Sequence, residues 1–177
     1  IFTPVLDSQY KEHTPKHPFW STLRHELVHH LHWSRHHDRN APFWLSEGLA
    51  EWLTYGNTPP PDYLSTALRD PEREEKSLLT IVTNLESVIT FRKGQDKSQQ
   101  FARWRAYVLV RALMNHKRLS KKLVTYTLHH ASADDGFTDL CENLESSHLE
   151  LAKVFKDGRA KTILELCKDP NIQEYYR

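Results

Sequence analysis

A mainly α-helical fold is the expectation for this sequence, on three observations. Only 5 of the 177 residues are glycine, too few for the many turns that a fold of short strands requires. Apolar residues recur every three or four positions through long stretches, the spacing that lines one side of a helix. Pro18 and Pro42 stand where two such stretches open, and the fixed φ of proline and its missing N–H suit the first turn of a helix.

Taken in order, Ile1 to Leu6 (IFTPVL) reads as a short strand or extended segment, with Pro4 restricting it to an edge. Residues 7–18 are polar, contain two prolines and read as loop. Phe19, Leu23, Leu27 and Leu31 then step by four along a predicted helix whose apolar side they form. The connector WSRHHDRN, Trp33 to Asn40, reads as a solvated loop ending at Asn40, a predicted N-cap. Leu45, Leu49, Trp52 and Leu53 supply the apolar side of the next helix, and Gly56 is its predicted stop.

Beyond a proline run, Asp62 to Arg69 reads as a short helix and Asp70 to Lys76 as a charged loop. Ser77 to Asn84 fits either one or two helical turns or a strand. Ser98 opens the longest helical pattern, with Phe101, Trp104, Val108, Leu109, Ala112 and Leu113 on one side, up to about His116. Ser120 is the predicted cap of a helix bearing Leu123, Val124, Thr127 and Leu128. Further helices are expected near Phe137 to Leu144, His148 to Phe155 and Ala160 to Cys167. The second half is a helical bundle by pattern, without internal repeat or low-complexity tract.

Composition narrows the function classes. Lysine plus arginine (24) nearly balances aspartate plus glutamate (23), so a nucleic-acid partner or an acidic membrane surface has no compositional support. No run approaches the roughly 18 apolar residues of a transmembrane segment. Cys141 and Cys167 form neither a CxxC pair nor a disulfide framework; they read as buried free thiols, with one disulfide as the alternative in an exported protein. The chain opens at Ile1 without methionine, charged n-region or apolar h-region, as expected of a processed form or an excised piece of a longer protein. Twelve histidines are the compositional anomaly.

The chemistry concentrates where those histidines are densest. HELVH puts His25 and His29 four residues apart on the first predicted helix, so both rings can reach one metal ion at roughly 2.0–2.1 Å. Glu26, offset by one residue, lies on the flank of that side and can reach a water at the ion without coordinating, as a general base must. A chain of this composition contains an HExxH match by chance about 0.06 times, so the motif alone is only suggestive. Catalytic zinc usually has three protein ligands, and a reversal into an antiparallel second helix can bring Glu47 opposite both histidines.

Glu51, one turn beyond Glu47, is placed to accept the second ring hydrogen of a ligand histidine and hold its tautomer. Gly48 allows this helix to approach its neighbour closely. His30, His32, His36 and His37 read as solvated bystanders, or at most as a second, weaker metal site. Trp20, Trp33, Trp44, Trp52 and Trp104 read as core aromatics, with cleft lining as the alternative.

HELVH followed by WLSEGLAEW resembles the gluzincin metallopeptidases, the group that includes thermolysin-like and aminopeptidase N-like enzymes. The likeness is greatest to the bacterial peptidase MA-like branch, whose second motif reads WLxEGLAE. It covers residues 20–56 and, on compatible patterning, Ser98 to His116. The resemblance implies zinc ligated by His25, His29 and Glu47, with Glu26 as general base and Glu51 as the carboxylate that orients a ligand histidine. It implies a zincin-like helical fold with little or no N-terminal sheet. On this basis the chain reads as a single gluzincin-like domain over 1–177, with 1–18 as an extended or loop lead-in, 19–56 as the zinc-site helix pair and 57–177 as helical support. The implied activity is zinc-dependent hydrolysis of a peptide or protein substrate. An endopeptidase is expected, because no GxMEN-like segment for recognising a free N-terminus is present. The metzincin extension fits worse, since it would need glycine at 32 and histidine at 35, where His32 and Arg35 stand.

Two features depart from the gluzincin pattern. Many gluzincins stabilise the reaction's oxyanion with a tyrosine or histidine, and the position that the aminopeptidase-like members use aligns with Phe101, which has no hydroxyl. Tyr107 ranks first as a substitute, ahead of Arg105, His116 and Tyr55. The sheet that such enzymes carry before HExxH has only 24 residues here to form from. Both departures favour an alternative, a catalytically inactive gluzincin-like zinc-binding or interaction domain; Glu26 opposes it, because a structural site needs no base. A third reading, a helical interaction module with a chance HExxH, predicts no bound metal.

Overall fold

A computed structural model describes residues 18–35, 41–57, 99–129 and 137–159, apart from a few side chains in the terminal turns of helices, that of Phe101 among them. These segments form six α-helices and, among the described residues, no strand. In chain order they are α1 (Pro18–Arg35), α2 (Phe43–Tyr55), α3 (Gln99–Asn115), α4 (Leu119–His129), α5 (Phe137–Asn143) and α6 (His148–Arg159). The mainly helical expectation therefore holds for these residues. The expected strand at 1–6, the N-cap at Asn40, the segments between Asp62 and Asn84, the helix at 160–167, His36, His37 and Cys167 lie outside them.

The core is built around α3. Every residue from Ala106 to Leu113 is buried, so this helix is covered on all sides rather than along one stripe. α2, α4 and α6 pack against it. Trp44 and Leu45 from α2, Leu119, Leu123 and Tyr126 from α4, Leu140 from α5, and Leu151, Val154 and Phe155 from α6 complete the cluster. Trp104 joins Trp44 in the core, as expected of aromatic residues; Trp20 and Trp33, expected there too, are exposed on α1. Cys141 is a free, half-buried thiol packed at the edge of this cluster.

Local chemistry explains four of the helix ends. Pro42 proves to be the residue flanking α2 rather than its first turn: its backbone is extended, and its carbonyl accepts the N–H groups of Leu45 and Ser46, both at 3.0 Å. Gly56 ends α2 as expected, at φ +61°, with its N–H donating to the carbonyl of Trp52 at 2.7 Å. Ser120 does not cap α4; it lies inside that helix. The N-terminal N–H of Leu119 is instead accepted by Nδ1 of His116 at 3.3 Å, and that of Ser120 by the His116 carbonyl at 3.0 Å. Ser147 caps α6, its hydroxyl accepting the Glu150 N–H at 3.2 Å.

The apolar side of α1 does not face its neighbour. Phe19, Leu23, Leu27 and Leu31, the apolar side expected from their spacing, are 46–61% exposed. Among its described side chains only that of His25 is buried, and α1 meets α2 through the side that carries His25 and His29. The physical reason lies on α2, where Ser46, Glu47 and Glu51 face α1. An apolar stripe laid over them would remove the partners that His25 and His29 give to Ser46, Glu47 and Glu51, a loss that imidazoles avoid.

Candidate metal centre

α1 and α2 run in opposite senses, so His25 lies opposite Glu51 and His29 opposite Ser46. The two Nε2 atoms are 2.9 Å apart. Glu47 completes a triangle, with Oε2 at 3.4 Å from Nε2 of His25 and Oε1 at 3.4 Å from Nε2 of His29. One donor atom from each of the three residues lies within 4.8 Å of the others, the arrangement that can hold a metal ion. The sequence-predicted ligands are thus brought together from two helices.

Each ring is steered from its far side. Nδ1 of His29 meets the Ser46 hydroxyl at 3.0 Å, and Nδ1 of His25 faces Oε1 of Glu51 at 3.4 Å. An ionised Glu51 can only accept, so the His25 proton belongs on Nδ1 and Nε2 is left as an acceptor. Glu51 stands where the sequence reading put it. Ser46 carries the matching task for His29, and the only local signal for it was its position beside Glu47.

The donor geometry fits a small cation. Two ligands about 2.05 Å from a tetrahedral ion stand about 3.3 Å apart, close to the two 3.4 Å edges and slightly wider than the 2.9 Å edge. Two imidazole nitrogens and one carboxylate form a donor set of catalytic zinc, with a fourth position left open.

The electrostatics point the same way. Burial lowers the pKa of His29 below its ordinary 6.5, and the charge of His25 adds to this against the opposing pull of Glu47 and Glu26; the ring is held neutral, as a ligand must be. Burial works against ionisation of Glu47, yet its polar contact with His25 and the charges of His29 and Arg103 outweigh it and hold the carboxyl below its usual range. At Glu51 burial prevails over Arg103 and His25, and the carboxyl is pushed up.

A third helix completes the site, through an approach that glycine permits. A β-carbon at Gly48 would lie 2.5 Å from the carbonyl oxygen of Ala106 and 2.6 Å from a methyl of Val110, so the close neighbour of Gly48 is α3. From this dock α3 sends four residues, spaced by four, toward α2. Arg103 pairs with Glu47, Nε to Oε2 at 3.2 Å, and donates to Glu51. Tyr107 donates its hydroxyl to the carbonyl of Gly56 at 3.2 Å. Arg111 and Asn115 donate to Oδ1 of Asn57 at 3.4 and 3.0 Å.

Two of the expected oxyanion donors, Tyr107 and His116, are otherwise engaged. Tyr107 is fully buried, its hydroxyl is spent on Gly56, and burial pushes its pKa far up. His116 uses Nδ1 to cap α4. Glu26 is exposed on α1 beside His25, and its charge acts on His29. Arg103 is the functional candidate that local spacing does not reveal.

No protein-family model, curated protein or solved structure matches this chain.

Proposed function

We propose that this chain is a zinc-dependent peptidase of the gluzincin type, cutting within a peptide or protein substrate on a zincin-like helical scaffold. The observation that carries the reading is the convergence of Nε2 of His25, Nε2 of His29 and the Glu47 carboxylate, each ring steered at Nδ1 by α2. These three residues would hold the zinc, and Glu51 and Ser46 would orient the rings. When bound, zinc supplies Lewis-acid polarisation of a peptide carbonyl and lowers the pKa of water, from 15.7 towards about 7 in the most favourable sites.

The residues of the chain do the rest. Glu26, exposed and next to His25 in sequence, takes the proton from water as its oxygen adds to the scissile carbonyl carbon. The same carboxyl returns that proton to the amine as the C–N bond breaks. His29, held neutral, and Glu47, held ionised, keep the site ready for a cation near neutral pH.

The alternative is a gluzincin-like domain that binds zinc without hydrolysis, and the occupied hydroxyl of Tyr107 favours it. One experiment separates the readings. Purified protein is expected to carry one zinc per chain by elemental analysis and to cleave a mixed peptide library. Glu26→Gln should keep the zinc and lose cleavage, whereas Glu47→Ala should lose the zinc. Absence of stoichiometric metal in unchelated protein would sink both zinc readings; equal behaviour of wild type and Glu26→Gln would leave the non-catalytic one.

A further inference from the structure

The guanidinium of Arg103 lies beside Glu47 and Glu51 but nearer to solvent than either. Its side chain is 40% exposed, against 18% for Glu47 and 7% for Glu51. Nη2 donates to Glu51 and lies 3.4 Å from Nε2 of His25, one of the three donor atoms. Nε is 3.2 Å from Glu47, close enough for an ion pair, yet it is buried and its N–H is not aligned as a hydrogen bond. Among the described residues Nη1 has no ion-pair or hydrogen-bond partner.

A guanidinium serving only as a counter-ion would present its planar fork to a carboxylate with two parallel N–H bonds. Here the fork is only partly used. Glu51 anchors it at one nitrogen, Glu47 fixes its position by charge, and donors remain on the side that solvent reaches. Arginine stays charged at any working pH and carries five donors in a rigid plane, which suits it to an anionic oxygen. The site has need of such a donor, because the hydroxyl of Tyr107 is committed elsewhere.

We propose that Arg103 is the anion-binding group of this site, donating hydrogen bonds from the solvent side of the His25, His29 and Glu47 group to a negatively charged oxygen of the substrate. The inference rests on the peptidase reading above, and in that reaction the oxygen is that of the scissile carbonyl. As water adds, the C–O bond forms, the carbonyl π pair moves onto this oxygen, and the water proton goes to Glu26. The Arg103 N–H groups meet the charge that develops. On collapse the pair returns, the C–N bond breaks and the proton leaves Glu26 with the amine. A donor already in place is worth most where it meets charge that exists only in the transition state.

The test uses the zinc-loaded full chain as wild type, Arg103→Met and Arg103→Lys. Zinc affinity is measured by competition with a chromophoric chelator, inorganic phosphate binding by calorimetry, and kcat and KM on a cleaved peptide. In Arg103→Met, zinc affinity should stay within about threefold. Phosphate affinity should fall tenfold or more, and kcat about 10²- to 10³-fold with KM little changed. Arg103→Lys should recover part of both losses, and it carries the test should Arg103→Met fail to fold. Unchanged phosphate binding and kcat would overturn the proposal, as would a loss of zinc affinity large enough to account for the whole effect, which would make Arg103 a positioning residue for Glu47. A wild type that binds no zinc removes the peptidase reading and this inference together; a zinc-loaded wild type whose phosphate binding ignores Arg103 removes the inference alone.

Discussion

Gly48 and Ala106 touch backbone to backbone: a β-carbon on Gly48 would stand 2.5 Å from the Ala106 carbonyl oxygen. That contact sets how closely α2 rests on α3, and so where Arg103 meets Glu47 and Glu51. Gly48→Ala should therefore destabilise the protein by about 1–3 kcal/mol, the usual range for overpacking, since the obstructing atom belongs to a helix backbone and cannot rotate away. A urea midpoint equal to wild type would show that α2 and α3 can separate at no cost.

Ser46→Ala removes the partner of His29 Nδ1 without touching a ligand. Zinc affinity should drop about 10-fold or more, in the range seen when the outer partner of a metal-bound histidine is lost, with the helical signal unchanged. Equal zinc affinity in the two proteins would assign the steering of His29 to packing alone.

Tyr107→Phe separates the sequence-based expectation from the structural finding. Losing the hydrogen bond to Gly56 should cost about 1 kcal/mol of stability, while kcat stays within about twofold. A fall of about 10² or more in kcat, with zinc retained, would return the oxyanion role to Tyr107.

Acid should weaken the metal-free protein in two stages. The folded-state pKa of His29 is depressed below 6.5, so the unfolded chain binds the extra proton first; the stability His29 contributes is present above 6.5 and lost as pH falls through its folded value. Glu47, depressed below 4.5, has the same sign and adds a second loss further down. Glu51 runs the other way: raised above 4.5, its contribution is present at low pH and lost as pH rises through its folded value. Urea midpoints between pH 8 and 4 should fall on acidification, and His29→Ala should flatten the upper part of that curve. A midpoint constant from pH 7 to 5 in wild type would contradict this.

The helices of the described residues and the spacing of His25 and His29 could be read directly from the chain because both are local. Residues four apart share a side of any helix, so His25 and His29 were a pair before any tertiary contact was known, and Gly56 marked the end of α2 through the backbone freedom it alone has. The same local logic found the apolar stripe of Phe19, Leu23, Leu27 and Leu31 on α1 but is silent on its direction, which is outward. Periodicity identifies a two-sided helix but not which side its neighbour will cover; the carboxylates of α2 decided that.

By itself, then, the sequence determined a mainly helical chain, the pairing of two imidazoles with a neighbouring glutamate, and a second helix carrying Glu47 and Glu51. Only the tertiary structure decided that Ser46 steers His29, that Gly48 opens the way to α3 rather than α1, that Tyr107 is committed to Gly56, and that Arg103 enters the site. Arg103 lies 52 positions from Glu51 and 78 from His25, and no spacing rule spans such a distance. Contacts of that kind are set by which helix surfaces fit each other, and here by the one position on α2 without a side chain.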